Sequence, residues 1–166
     1  MKIDVNDLIS KKASKKKVHL VSIIENFYDD GEYIEFLKPI TLDGEVSISE
    51  NVIRLEGKVK TELGLSCSRC LTSFNYNIDI QIHENFSNIP DNKDDEIIFI
   101  DSDIIDITEI IKNNIILSLP IKKLCKDDCK SLCQVCGSNL NISSCNCSDD
   151  SVDPRLAKLK DLFSAN

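Results

Sequence analysis

Histidine, glycine and long apolar runs are scarce in this 166-residue chain. Its two histidines, His19 and His83, both fall in strand-like runs, which leaves little for a histidine-based general base or a histidine-rich metal site. The five glycines are scattered, and Gly57 and Gly64 stand isolated within a strand pattern, so there is no Gly-rich loop to cradle a phosphate. No stretch approaches the roughly 20 apolar residues of a membrane span. The nearest candidate for a secretory apolar segment, residues 18–24, is broken by His19 and Ser22 and runs into Glu25-Asn26. The expectation is a soluble, cytoplasmic protein with no membrane partner and no small-molecule substrate.

Cysteine, by contrast, is plentiful. The eight residues arrive in pairs: Cys67-x-x-Cys70 mid-chain, then Cys125-x3-Cys129, Cys133-x-x-Cys136 and Cys145-x-Cys147. A disulfide framework would require an oxidising compartment. In a reducing one, such spacings let thiols converge on a tetrahedral metal, and eight is the number that two all-cysteine zinc sites need.

The net charge of −8 argues against general electrostatic attachment to nucleic acid, but the charge is uneven. Residues 1–17 hold six lysines against Asp4 and Asp7, a local +4, whereas 91–109 carries eight acids and one lysine, a local −7. Two readings of Lys11, Lys12, Lys15, Lys16 and Lys17 stand side by side, a solvated arm or a local RNA contact.

Hydrophobic periodicity outlines the body. After a short helix around residues 5–9, residues 18–24 and 33–37 read as strands. Ile53, Leu55, Val59, Leu63 and Leu65 then alternate with polar residues, as do Phe74, Tyr76, Ile78, Ile80 and Ile82. Period-two alternation of this length indicates half-buried antiparallel strands, here a long hairpin with Cys67-Ser68-Arg69-Cys70 at its turn. Pro90 to Glu96 reads as an acidic loop and residues 97–100 as a buried strand. Asp106 and Glu109 have capping spacing for a helix whose isoleucine stripe (Ile107, Ile110, Ile111, Ile115) would cover the sheet until Pro120 stops it. A last helix is opened by Asp153-Pro154, with Leu156, Leu159, Leu162 and Phe163 on one stripe.

The expected fold is therefore α+β: mainly an antiparallel β-meander or partly open barrel, with a covering helix and a small zinc-stapled C-terminal segment. Its regions are a basic N-terminal arm (1–17), the β body with its helix (18–120), a Cys-rich zinc-binding segment (121–150) and a C-terminal helix (151–166). The last-but-one has too few apolar residues to offset a backbone-ordering cost of about 1–2 kcal/mol per residue, and metal ligation is the natural substitute. The preferred division of ligands is Cys67/Cys70/Cys125/Cys129 and Cys133/Cys136/Cys145/Cys147, although spacing alone permits others. Four sulfurs with no open position make a structural site, so no catalytic residue is expected.

Together these residues resemble the YceD family of large ribosomal RNA subunit accumulation proteins. The resemblance rests on Cys67-Ser68-Arg69-Cys70-Leu71, on residues 109–120 leading into the cysteines, and on the run from Cys125 through Cys133-Gln134-Val135-Cys136-Gly137-Ser138-Asn139-Leu140-Asn141. It closes with Cys145-Asn146-Cys147 and Asp153-Pro154-Arg155-Leu156-Ala157-Lys158-Leu159. The family usually has glycine at Ser131 and proline at Gln134. The resemblance implies a non-enzymatic role in 23S ribosomal RNA synthesis, processing or stability and in large-subunit assembly. The acidic charge fits a ribosomal protein or another assembly factor as partner, with ribosomal RNA touched only through the basic arm. The rival readings are a thiol–disulfide oxidoreductase using Cys67 and Cys70, and a zinc-ribbon nucleic-acid-binding module. The first would want Cys67 at a helix N-terminus; the second would want a basic ribbon, and residues 121–150 are charge-balanced.

Overall fold

A computed structural model describes residues 1–29, 31–89 and 97–147. The acidic loop and the helix expected from Asp153 lie outside those residues.

Two strands of 15 residues dominate the structure: β6 (Val52–Ser66) and β7 (Ser73–Ser87) pair antiparallel along their whole length, Val52 facing Ser87 and Ser66 facing Ser73. To number the rest in chain order, β1 (Lys2–Asp4), α1 (Asn6–Ile9), β2 (Lys15–Ser22), β3 (Phe27–Asp29), β4 (Glu32–Phe36) and β5 (Ile40–Ser49) precede the hairpin. After it come β8 (Ile97–Phe99), β9 (Ile104–Asp106) and α2 (Thr108–Ser118). β5 lies along the first half of β6 and β2 along β5, while β4, carrying β3, takes up the same edge of β6 further on.

The inward residues of β6, namely Ile53, Leu55, Val59, Leu63 and Leu65, are all buried, as the alternation requires, together with Ile78, Ile82 and Phe86 of β7. Thr61 continues the buried row because its Oγ1 donates to the Lys38 carbonyl at 2.8 Å. α2 packs on β7 through Ile111 and Ile115, and Asn114 Nδ2 donates to Glu84 Oε1 at 2.7 Å.

The sheet is mainly antiparallel and partly open, as expected: among the described residues β2 pairs only with β5, and β8 only with β7, the latter in parallel. Other expectations are corrected. The N-terminal segment does not extend from the body as an arm. β1 pairs with β9, Ile3, Val5 and Leu8 join the core, and Lys15, Lys16 and Lys17 open strand β2. Those apolar residues spaced among the lysines tie the segment down. The helix starts at Thr108, where the Asp106 carboxylate accepts the Thr108 N–H at 3.0 Å; Glu109 pairs with Lys112 instead of turning back to complete a capping box.

Candidate metal centres and family membership

The first pair of cysteines occupies the tip of the β6–β7 hairpin. The chain must reverse between Ser66 and Ser73, and Leu71 does so in the left-handed region at φ 59°. The Leu71 N–H then returns to the Cys67 carbonyl at 3.0 Å, and the Cys67 N–H donates to the Thr72 carbonyl at 3.0 Å. Residues 133–138 repeat this design. Gly137, at φ 72°, donates to the Cys133 carbonyl at 2.9 Å, and the Cys133 N–H donates to the Ser138 carbonyl at 2.8 Å. Cys-x-x-Cys followed by a left-handed residue and a hydroxyl residue is thus used twice, and each turn aims two sulfurs the same way.

The chain after α2 comes back to the hairpin tip. Ser68 N–H donates to the Lys123 carbonyl at 2.8 Å, and Arg69 Nη1 to the Cys129 carbonyl at 3.0 Å. Cys129 Sγ stands 3.8 Å from Cys67 Sγ, and Cys125 Sγ 3.6 Å from Cys70 Sγ. Cys67, Cys70, Cys125 and Cys129 therefore form one group and Cys133, Cys136, Cys145 and Cys147 a second, the sulfurs of each lying within 4.8 Å of one another. Four sulfurs bonded at about 2.3 Å to a tetrahedral ion stand about 3.8 Å apart. Both groups could hold a metal ion, and the donor chemistry fits one.

The surroundings of the groups differ. Cys67, Cys70 and Cys129 are buried against Phe74, Leu124 and Leu132, in a cluster that meets the main core through Phe74. In the second group Cys136 and Cys147 are exposed. Asn139 Nδ2 donates to Thr72 Oγ1 at 3.2 Å, and Asn141 Nδ2 to Cys129 Sγ at 3.4 Å, so the segment carrying the second group is braced against the first.

Electrostatics pull the thiols apart. Burial pushes the Cys67 thiol up, but the backbone around Cys125, Cys70 and Arg69 outweighs it and holds the group at about 6. Cys125 is pushed up to about 12 by burial and by its cysteine neighbours. The second group has the same split: the Ser138 side chain and backbone hold Cys136 at about 6, and neighbouring Cys136 together with burial drives Cys147 up to about 12. Thr72 lowers Cys70 in the way Ser138 lowers Cys136. The lowered thiols of each group ionise first, and the others meet a like charge. A cation at the centre would remove that conflict, because a coordinating thiol is deprotonated outright.

The sequence pattern gives Thr72 no role, and Ser138 and Asn141 enter it only as part of the family motif. The hydroxyls could have been found by their place two residues after the second cysteine of each pair. No helix N-terminus or βαβ unit serves Cys67, which follows an antiparallel strand. The candidate lysines stay away from both groups: Lys15 pairs with Glu45 at 2.7 Å, Lys16 Nζ donates to the Asp4 carbonyl at 2.8 Å, and Lys11 and Lys12 line a surface cavity. No helix among the described residues is long and apolar enough to cross a membrane.

The family model "Large ribosomal RNA subunit accumulation protein YceD" matches residues 55–163, from the third residue before Lys58 to beyond the last cysteine. The chain is similar to the uncharacterized protein YlbN of Bacillus subtilis, at 30% identity over 78% of this chain and 77% of the relative. An uncharacterized protein of Mycobacterium leprae is 29% identical over 78% of this chain and 62% of its own length. A chloroplastic YCED homolog 1 of Arabidopsis thaliana, named as a large ribosomal RNA subunit accumulation protein, is 25% identical over 94% of this chain and 56% of its own length. No solved structure matches. With all but the first three residues of the hairpin and all eight cysteines inside the matched segment, the chain belongs to the YceD family.

Proposed function

We propose that the protein is a non-enzymatic cytoplasmic factor for 23S ribosomal RNA synthesis, processing or stability, and hence for large-subunit assembly, with a structural Zn2+ in each four-cysteine group. The observation that carries the zinc reading is the pair of closed four-sulfur groups, in which every ligand position is filled by protein. Family membership and the name of the Arabidopsis relative support the ribosomal role. Zn2+ in the first group fastens residues 121–129 to the hairpin tip; Zn2+ in the second orders a segment with little apolar surface of its own. The partner is a basic ribosomal protein or an assembly factor, complementary to a chain of net charge −8, and Lys11, Lys12, Lys15, Lys16 and Lys17 make a local RNA contact.

Depleting the protein from cells and measuring mature 23S relative to 16S RNA tests this role. The ratio falls if the reading holds; an unchanged ratio at full depletion refutes it.

A further inference from the structure

A cavity of about 630 Å³ lies between the segment joining α1 to β2 and the turn joining β5 to β6. Lys11, Lys12, Ala13 and Ser14 form one wall, and Ile48, Ser49, Glu50 and Asn51 the other. Ile48 N–H donates to the Ser14 carbonyl at 3.1 Å, which joins the two walls. Glu50 and Asn51, both in the left-handed region, reverse the chain tightly enough to keep the second wall short. Two apolar side chains, Ala13 and Ile48, thus sit beside the hydroxyls of Ser14 and Ser49, the Asn51 amide and two ammonium groups.

Strand register extends the positive charge beyond the cavity. Lys15 faces Ser47, and Ser47 faces Arg54, placing Lys15 and Arg54 on one face about 10 Å apart at the backbone, two strand spacings. Glu45 neutralises Lys15, and Glu50 is the acid on the cavity rim. Lys11, Lys12 and Arg54 form no ion pair with a described residue. A chain of net −8 has here a cleft with two lysines in no ion pair with a described residue, and beyond it Arg54, whose Nε donates to Asn85 Oδ1 at 3.3 Å.

We infer that this cleft binds single-stranded RNA, with Lys11 and Lys12 on phosphate oxygens, Ser14, Ser49 and Asn51 on ribose or base edges, and Arg54 on an adjoining phosphate. The inference rests on the RNA-related role proposed above and assigns that contact to one cavity. The volume is in the range of about 300–1,000 Å³ typical of small-ligand sites, which admits an unstacked nucleotide but not a duplex. Single-stranded RNA is recognised in this way, through splayed bases and 2′-hydroxyls. An acidic peptide could use the lysines but would leave Ala13, Ile48 and the hydroxyls unused.

The test uses the full, metal-loaded chain and fluorescein-labelled oligouridylate of about 12 nucleotides, within the usual site sizes for such binders. Anisotropy titrations at several salt concentrations compare wild type with K11A/K12A, S49A/N51A, R54A and K126A, the last lying in the Cys-rich segment. K11A/K12A is expected to weaken binding at least tenfold and to reduce the salt dependence by about 1.4 logarithmic units, at about 0.7 per single-strand phosphate contact. S49A/N51A and R54A weaken it less, and K126A leaves it unchanged. Equal binding by wild type and K11A/K12A overturns the inference, as does an equal loss in K126A, tighter binding of a duplex, or binding of polyglutamate but not RNA. Complementation separates this inference from the broader role. If depletion lowers the 23S to 16S ratio but K11A/K12A restores it fully, the cleft fails and the role stands; if depletion leaves the ratio unchanged, the role fails and the titrations alone decide the cleft.

Discussion

Replacing Gly44 by alanine probes how closely β5 approaches β6. Gly44 of β5 faces Gly57 of β6, and the two backbones come so close that an added Cβ would overlap the Glu56 carbonyl oxygen and stand 2.6 Å from Gly57 Cα. Both obstacles are backbone, so no side chain can move to make room. The strands must part locally, at a cost of two to three ladder hydrogen bonds worth about 1 kcal/mol each. Alanine restores about 0.4–1 kcal/mol by restricting the unfolded chain. The net loss is about 2 kcal/mol, or about 4–8 °C in melting temperature for a chain of this length. Gly57→Ala is milder, because its Cβ would press at 2.7 Å on the flexible end of Leu42. Thermal unfolding of the two metal-loaded variants beside wild type, followed by circular dichroism, measures the difference. A Gly44→Ala variant as stable as wild type, or more stable than Gly57→Ala, refutes the close-approach argument.

Ser131, at φ 66°, occupies a left-handed position. Ser131→Gly should relieve about 1–2 kcal/mol of strain while adding about 0.5–1 kcal/mol of unfolded-state entropy, a net gain between about 0 and 1.5 kcal/mol, and a lowered melting temperature contradicts this. Metal affinity should fall as the pH is lowered. Cys67 and Cys136, held at about 6, are thiolates at neutral pH and become protonated below about 6, where protons compete with the metal. Binding near pH 7.5 should release fewer than eight protons per chain, as measured by calorimetry in buffers of different ionisation enthalpy; pH-independent affinity would exclude thiolate ligation. Chelation should speed amide exchange across residues 121–147 and leave β5, β6 and β7 protected, because the main core contains none of the cysteines. Simultaneous loss of protection in those strands would show that the two clusters unfold together.

The long hairpin and its Cys-x-x-Cys tip were legible because alternation persists through β6 and most of β7. β5 is hard to read from sequence even though Ile40, Leu42, Val46 and Ile48 alternate, because Gly44 interrupts the apolar row where the sheet needs the least bulk. β1 and β9 could not be read: each has three residues, and their pairing joins Lys2 to Asp106 across most of the chain. The gathering of Cys125 and Cys129 with Cys67 and Cys70 follows from counting ligands once the last four cysteines are taken as a unit. The backbone contacts that hold the first group together, Ser68 to Lys123 and Arg69 to Cys129, carry no sequence signature. Lysine clustering alone suggested a free arm, because the short apolar set Ile3, Val5 and Leu8 that anchors it is too sparse to show a period.

Metal content tests the central claim most directly. Protein purified without chelator should contain about two zinc ions per chain, and after cobalt exchange it should show sulfur-to-cobalt charge transfer typical of tetrahedral four-sulfur ligation. Cys70→Ser should lose one ion and Cys145→Ser the other, each variant retaining about one. Metal-free protein whose eight thiols titrate freely in the folded state, or whose cysteine pairs are joined as disulfides, would contradict it.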